Sequence, residues 1–217
     1  MKLMENRKED VAIRKTGTTT VGIRTKDCVV LAADQKATMG YFAADLDAQK
    51  VYKLTDKIGL TIAGGMGDAQ TLVRFLRSQA KLFEVERENA ITTKALVTFI
   101  ANILSGNRYY PFMIQFIIGG HTGTPQLYSM DAVGSIAPVE DYTVSGSGSE
   151  FAMGVLDTNY HATMKKDDVI KLAIKAVQAA KKRDVMSGGH SYTIMVIDAN
   201  GVQELSKKDV EKIVAGM

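Results

Sequence analysis

The chain is 217 residues long and 46% apolar, with 27 basic and 24 acidic side chains giving a net charge of +3. That length fits one sizeable domain or two small ones, and so slight a charge excess speaks against a dedicated nucleic-acid binder, which concentrates basic surface. The single cysteine, Cys28, rules out an intrachain disulfide and a cysteine-based zinc site. No run approaches the roughly 20 apolar residues of a membrane span, and the N-terminus lacks the apolar stretch of a signal peptide.

Residues 1–17 are polar and charged, holding five basic and three acidic residues with little apolar periodicity. On composition alone they read as a tail. From Thr19 onward the pattern predicts strands. Thr20–Thr25 and Cys28–Ala33 are rich in β-branched residues around a polar Lys26-Asp27 turn. Within this apolar run Cys28 reads as a buried structural thiol. Val51–Leu54 and Ile58–Ala63 form a second pair. The period changes over residues 68–88, where Leu72, Phe75, Leu76, Gln79, Leu82 and Phe83 recur at helical spacing. Thr92 or Thr93 caps a second helix running to about Ser105, with Leu96, Phe99, Ile100 and Ile103 on its apolar side.

Phe112–Ile118 is a nearly continuous apolar strand bounded by Pro111 and Gly119-Gly120, and Gln126–Met130 follows it. Glu150–Asn159 and Asp167–Lys182 read as a second pair of helices. The Lys181-Lys182-Arg183 run closes the latter, where positive charge suits the helix dipole. Tyr192–Asp198 and Val202–Leu205 form a hairpin around Ala199-Asn200-Gly201, and a short helix ends the chain. Strands, two helices, strands, two helices, strands: such segregated runs imply two antiparallel sheets and two helical layers.

Chemistry enters at Gly17-Thr18-Thr19-Thr20-Val21-Gly22-Ile23. A threonine in such a run is ordinarily a strand residue. Cutting after Gly17, however, would give Thr18 both a hydroxyl and a free α-amine. A threonine hydroxyl needs a base beside it, and an N-terminal amine is one solution. With an unperturbed pKa of roughly 7.7–8.0, that amine accepts a proton near neutrality. Asp34 lies sixteen residues beyond Thr18, and Lys50 sixteen beyond Asp34. Alone, each reads as a solvated charge. Ser145-Gly146-Ser147-Gly148-Ser149 and Ser187-Gly188-Gly189 read locally as loops. Ala63-Gly64-Gly65-Met66-Gly67 sits between a strand and a helix but matches neither phosphate-loop nor dinucleotide fingerprint; a turn with close substrate approach fits better. His121, His161 and His190 have no metal-ligand spacing.

Taken in order, these motifs, with Asp68-Ala69-Gln70 and Arg183-Asp184-Val185-Met186, resemble the β subunits of the 20S proteasome, of the archaeal type, which are N-terminal-nucleophile hydrolases. The resemblance runs from Thr18 nearly to the C-terminus. It implies a four-layer αββα sandwich, with residues 1–17 an autocatalytically removed propeptide and residues 18–217 the catalytic domain. It implies a cytoplasmic threonine endopeptidase that degrades unfolded polypeptides and uses no cofactor or metal. Thr18 would be the nucleophile; Lys50, held by Asp34, would favour its unprotonated amine through like-charge opposition. Ser147, Asp184 and Ser187 would orient the amine or a water. The Gly64 amide would form the oxyanion hole. Thr38 would pair with the substrate strand, and Ala37, Ile62 and Met66 would line the pocket for a large apolar residue before the cut.

Implied partners are proteasome α subunits, other β subunits in seven-membered rings, and a regulatory ATPase acting through the α ring; no nucleic acid or membrane is implied. Surplus apolar surface on the helices over residues 68–88 and 92–105 is expected to be covered between subunits. Gln35-Lys36 stands where a basic pair is often seen, and Gly134-Ser135 where two glycines are common; both are expected to stay clear of the chemistry. Two other readings are a subunit of the two-ring bacterial proteasome-like protease of the heat-shock locus, and a non-catalytic structural ring subunit. The long leading segment and Gly67-Asp68-Ala69-Gln70 oppose the first. The presence of Thr18, Asp34 and Lys50 together opposes the second.

Overall fold

A computed structural model describes residues 17–217; the segment over residues 1–16 lies outside the described residues. β1 (Thr20–Arg24) and β2 (Val29–Asp34) form a hairpin, followed by the small hairpin β3 (Ala37–Met39) and β4 (Phe42–Asp45). β5 (Val51–Lys53) and β6 (Ile58–Gly64) lead into helices α1 (Met66–Arg87) and α2 (Thr93–Gly106). Then come β7 (Ile114–His121), β8 (Pro125–Met130), β9 (Ile136–Val139) and β10 (Tyr142–Ser145). Helices α3 (Ser149–Asn159) and α4 (Lys166–Arg183), strands β11 (Tyr192–Asp198) and β12 (Gly201–Glu204), and helix α5 (Lys207–Ala215) complete the chain. One five-stranded sheet runs β10-β1-β2-β11-β12 and the other β5-β6-β7-β8-β9, and every pairing is antiparallel.

Burial explains why β2 and β7 read as unbroken apolar runs. Along β2, Val30 and Ala32 face the layer of α3, α4 and α5, while Val29, Leu31 and Ala33 face the opposite sheet. Along β7, Phe116 and Ile118 pack under α1 and α2 while Ile117 meets Leu31 and Leu127 between the sheets. Each sheet is covered on both faces, so both sets of alternating positions are apolar. The result is the expected αββα sandwich with three apolar layers.

The structure shifts several predicted elements. β7 begins at Ile114 rather than Phe112 and continues through Gly119 and Gly120, which pair with Leu127 and Gln126; the glycine pair expected to bound the strand is part of the ladder. α1 starts at Met66, earlier than the expected 68, and its cap Gly65 supplies no side-chain oxygen that would signal that start in the sequence. Its core stripe is Ala69, Leu72, Val73, Leu76 and Ala80, leaving Phe75 and Leu82 nearly half exposed. Thr92 is the cap of α2, accepting from Ala95 N at 3.2 Å. Strands β3, β4, β9 and β10 were not predicted. All of β4 is exposed, β9 is an edge strand containing Pro138, and β10 is a half-buried edge, so none shows clean alternation.

Among the described residues, no helix is long and apolar enough to cross a membrane. Cys28 is buried, and burial raises its thiol pKa, as suits an unreactive core residue.

Candidate active site

The site lies where β1 begins, between the ends of the two sheets. β1 pairs with β2 on one side and β10 on the other, so the residues preceding Thr20 run on between the end of β2 and the loop after β10. Thr18, Thr19 and Thr20 are all buried, yet their hydroxyls stand in different circumstances. Thr20 Oγ1 lies 2.7 Å from Ser145 Oγ, and Thr19 Oγ1 lies 2.6 Å from Ser187 Oγ. Both are committed to internal hydrogen bonds. Thr18 is held instead by its backbone, N donating to Ser147 Oγ at 3.1 Å.

Asp184 fixes the direction of these bonds. Its Oδ2 lies 2.6 Å from both Ser147 Oγ and Ser187 Oγ. A carboxylate only accepts, so each serine gives its one proton to Asp184. Ser147 is then an acceptor toward Thr18 N, and Ser187 an acceptor toward the Thr19 hydroxyl. The carboxylate is steadied by Met186 N, which donates to Oδ1 at 3.1 Å. Ser147, Asp184 and Ser187, far apart in sequence, thus form one polar cluster against Thr18 and Thr19.

Asp34 ends β2 and is fully buried. Its Oδ1 accepts from Thr19 N at 2.9 Å and Lys50 Nζ at 2.8 Å; its Oδ2 accepts from Gly188 N at 2.9 Å and Lys36 N at 3.1 Å. Lys50, 2% exposed, also donates to Lys36 O at 2.6 Å. Two of its three N–H donors are used among the described residues. Burial pulls the Lys50 pKa below the ordinary lysine value, and the Asp34 carboxylate opposes that shift. The pair is therefore a desolvated lysine set against a carboxylate that accepts from four donors, Thr19 N, Lys50 Nζ, Gly188 N and Lys36 N.

This geometry corrects one expectation. The Gln35-Lys36 pair does not stay clear of the site: the Lys36 backbone bridges Asp34 and Lys50, and Gln35 Oε1 accepts from Ser191 N at 3.1 Å. The Lys36 backbone holds both members of the ion pair, while its ammonium donates to Val185 O at 2.7 Å. Met186 was also missed. It stacks against Gly17, where an added Cβ would fall 1.7 Å from Met186 Cβ.

Gly64 ends β6 with φ +122°, and a Cβ there would lie 2.1 Å from Met113 O. Gly65 N donates to the same carbonyl at 2.6 Å. Gly64→Ala is expected to destabilise the fold by at least about 1–3 kcal/mol from backbone strain alone, read as a lower midpoint in thermal or denaturant unfolding; an unchanged midpoint would refute the constraint. Thr38 Oγ1 accepts from Gly17 N at 3.3 Å. Ala37 and Met66 are half-buried, while Ile62 is buried in the apolar layer beneath α1 and α2. Tyr52, not predicted, places its hydroxyl 3.9 Å from Met66 Sδ. Among the described residues no group of three or more His, Cys, Asp or Glu side chains is placed to hold a metal ion.

A sandwich of two antiparallel sheets between helical layers, with polar groups converging on the first strand, defines the class as the N-terminal-nucleophile hydrolase fold. The family model described as proteasome subunit matches residues 14–197, and the chain belongs to that family, on its β branch. It is 41% identical over 191 residues to proteasome subunit beta 2 of Thermococcus gammatolerans, covering 88% of this chain and 95% of that one. It is 43% identical over 199 residues to proteasome subunit beta of Methanocaldococcus fervens, covering 91% and 88%. With proteasome subunit beta 1 of Thermococcus sibiricus the identity is 44% over 197 residues, covering 91% and 94%. The family is one of peptidase subunits.

Proposed function

We propose that the chain is a proteolytic β subunit, a threonine-type endopeptidase whose nucleophile is Thr18. The observation that carries this reading is the buried Asp34–Lys50 pair, bonded to the Thr19 amide next to Thr18. Burying two charges is costly and adds little net stability, so a subunit without chemistry gains little from retaining them. The commitment of the Thr19 and Thr20 hydroxyls to serines supports Thr18 over its neighbours.

In the unprocessed chain Thr18 N is a peptide nitrogen. Its hydroxyl attacks the Gly17 carbonyl, the acyl group moves from nitrogen to oxygen, and water cleaves the ester, freeing the α-amine and releasing residues 1–17. In the mature site that amine takes the hydroxyl proton as Thr18 Oγ1 adds to a substrate carbonyl. The Gly64 amide receives the developing oxyanion. The proton passes to the leaving peptide amine, giving an ester that water then hydrolyses. Ser147, an acceptor toward Thr18 N, orients the amine. Lys50 raises the cost of protonating that amine and so keeps it basic in form.

The substrate is an unfolded polypeptide laid beside Thr38 as an added strand, with a large apolar residue toward Ala37 and Met66, where Tyr52 adjoins. The subunit works in the cytoplasm within seven-membered β rings stacked against α rings, fed by an ATPase. Phe75, Leu82 and Val85 on α1, 44%, 47% and 66% exposed, are the surface such neighbours would cover. The test is the intact mass of this chain purified with its α partner. Loss of residues 1–17 in an active particle is the expected result; an active particle that retains them would overturn the assignment.

A further inference from the structure

Lys181 stands on the last turn of α4, where local charge explains it as one of three cations complementing a helix C-terminus. Its surroundings differ from those of its two neighbours. Lys182 and Arg183 are exposed, whereas Lys181 is half-buried and turned under the loop that follows the helix. Its Nζ donates to Gly189 O at 3.0 Å and to Ser191 O at 3.1 Å, and lies 4.3 Å from the centroid of the Tyr192 ring. Burial holds its pKa below the ordinary lysine value, with the Asp34 carboxylate opposing.

The loop so gripped runs from Asp184, whose N donates to Ala180 O at 2.7 Å, to the start of β11. Along it stand Asp184, Ser187 and the Gly188 amide, which reach Ser147, Thr19 and Asp34 respectively. Gly188 O also accepts from Gln35 N at 3.0 Å, and His190 N donates to Leu46 O at 3.1 Å. Those bonds tie the loop to β2 and its sequel. Lys181 ties the end of the loop back to the helix from which it departs, so the segment is closed on itself as well as docked. Two carbonyls satisfied by one partly desolvated cation make a strong and directional anchor.

We propose that Lys181 is a positioning residue, an ammonium clasp that holds residues 184–191 in the register at which Ser187 and Gly188 meet Thr19 and Asp34. Through those contacts it sets the geometry of Thr18 and Lys50. The inference rests on Thr18 being the nucleophile. The clasp acts on orientation rather than substrate binding, so its loss falls on kcat and spares KM. Displacing a catalytic group by about 1 Å costs about 10²-fold in rate. Lys181→Met keeps the apolar stem and removes every donor. Lys181→Arg offers a fork suited to two carbonyls and stacks on an aromatic ring, so it should rescue.

The experiment compares wild type, Lys181→Met and Lys181→Arg as full chains assembled with α subunits. It reads kcat and KM on a peptide with a large apolar residue before the cut, together with amide hydrogen exchange over residues 186–191. Lys181→Met is expected to lower kcat by about 10- to 100-fold with KM little changed, and to speed exchange at Gly188 and Ser191; Lys181→Arg should recover most of both. An assembled Lys181→Met particle with wild-type kcat, or with wild-type exchange in the loop, would overturn the clasp. If Lys181→Met fails to assemble, exchange in the unassembled full-length chain, measured against wild type, decides the same point. Wild-type particles without peptide hydrolysis would instead overturn the functional reading, and the exchange comparison would still decide whether Lys181 holds the loop.

Discussion

Lys50→Ala, made in a chain whose Thr18 is already exposed behind a removable fusion, is expected to cut kcat by at least about 10³-fold. Two physical effects coincide. On the proposed mechanism the site loses the cation that keeps the Thr18 amine unprotonated, and the fully buried Asp34 carboxylate loses the ammonium it is paired with. Breaking a buried pair on one side costs about 3–5 kcal/mol, so the melting temperature should fall as well. Lys50→Arg should also fail. The ammonium is pinned between Asp34 Oδ1 at 2.8 Å and Lys36 O at 2.6 Å, a spacing for a compact charge rather than a planar fork. Wild-type kcat for Lys50→Ala in intact rings would refute the role.

The same residue sets a pH dependence whose sign is fixed. Burial lowers the Lys50 pKa from 10.5. In the proposed mechanism the working form is the charged one, present below the lowered pKa and lost as pH rises through it. The alkaline fall in kcat/KM should therefore begin below pH 10.5, while the acid limb belongs to the Thr18 amine, whose unperturbed pKa is roughly 7.7–8.0. An acid limb that persists unchanged when Lys50 is replaced would separate the lysine from the amine.

Thr18→Ala is expected to remove both processing and turnover at once. Without the hydroxyl, the Gly17 carbonyl meets no nucleophile, so mass spectrometry of the assembled particle should find residues 1–17 still attached. Supplied with residue 18 already exposed, the variant should lose at least about 10³-fold in hydrolysis, because the Thr19 and Thr20 hydroxyls are bonded to Ser187 and Ser145 and cannot substitute. Thr18→Ser keeps the hydroxyl and the amine and should retain measurable activity. A mature chain beginning at Thr19 would move the nucleophile and sink the assignment. Combined with Lys50→Ala, the losses should be far from additive, as for residues of one machine.

Local pattern alone determined the elements that are continuously apolar or carry one periodic apolar face. β2 and β7 read as strands because burial on two sides makes them continuously apolar, and α1 and α2 read as helices from their repeat. The ordered motifs around Thr18, Asp34, Lys50 and Ser147 carried the family, since a Gly-Thr-Thr-Thr run, a carboxylate and a lysine at set spacing survive as sequence. Tertiary structure alone decided what depends on strands and loops meeting from distant positions. The short edges β9 and β10 and the exposed β3–β4 hairpin lack alternation, so only their pairing reveals them. The direction of each hydroxyl bond follows from Asp184 lying between Ser147 and Ser187. Lys36 enters through backbone atoms, which carry no side-chain signature. Lys181 looks in sequence like any cation at a helix end; only the return of the 184–191 loop across it converts surface charge into a partly buried anchor, because burial and partners, not residue type, decide what a charge does.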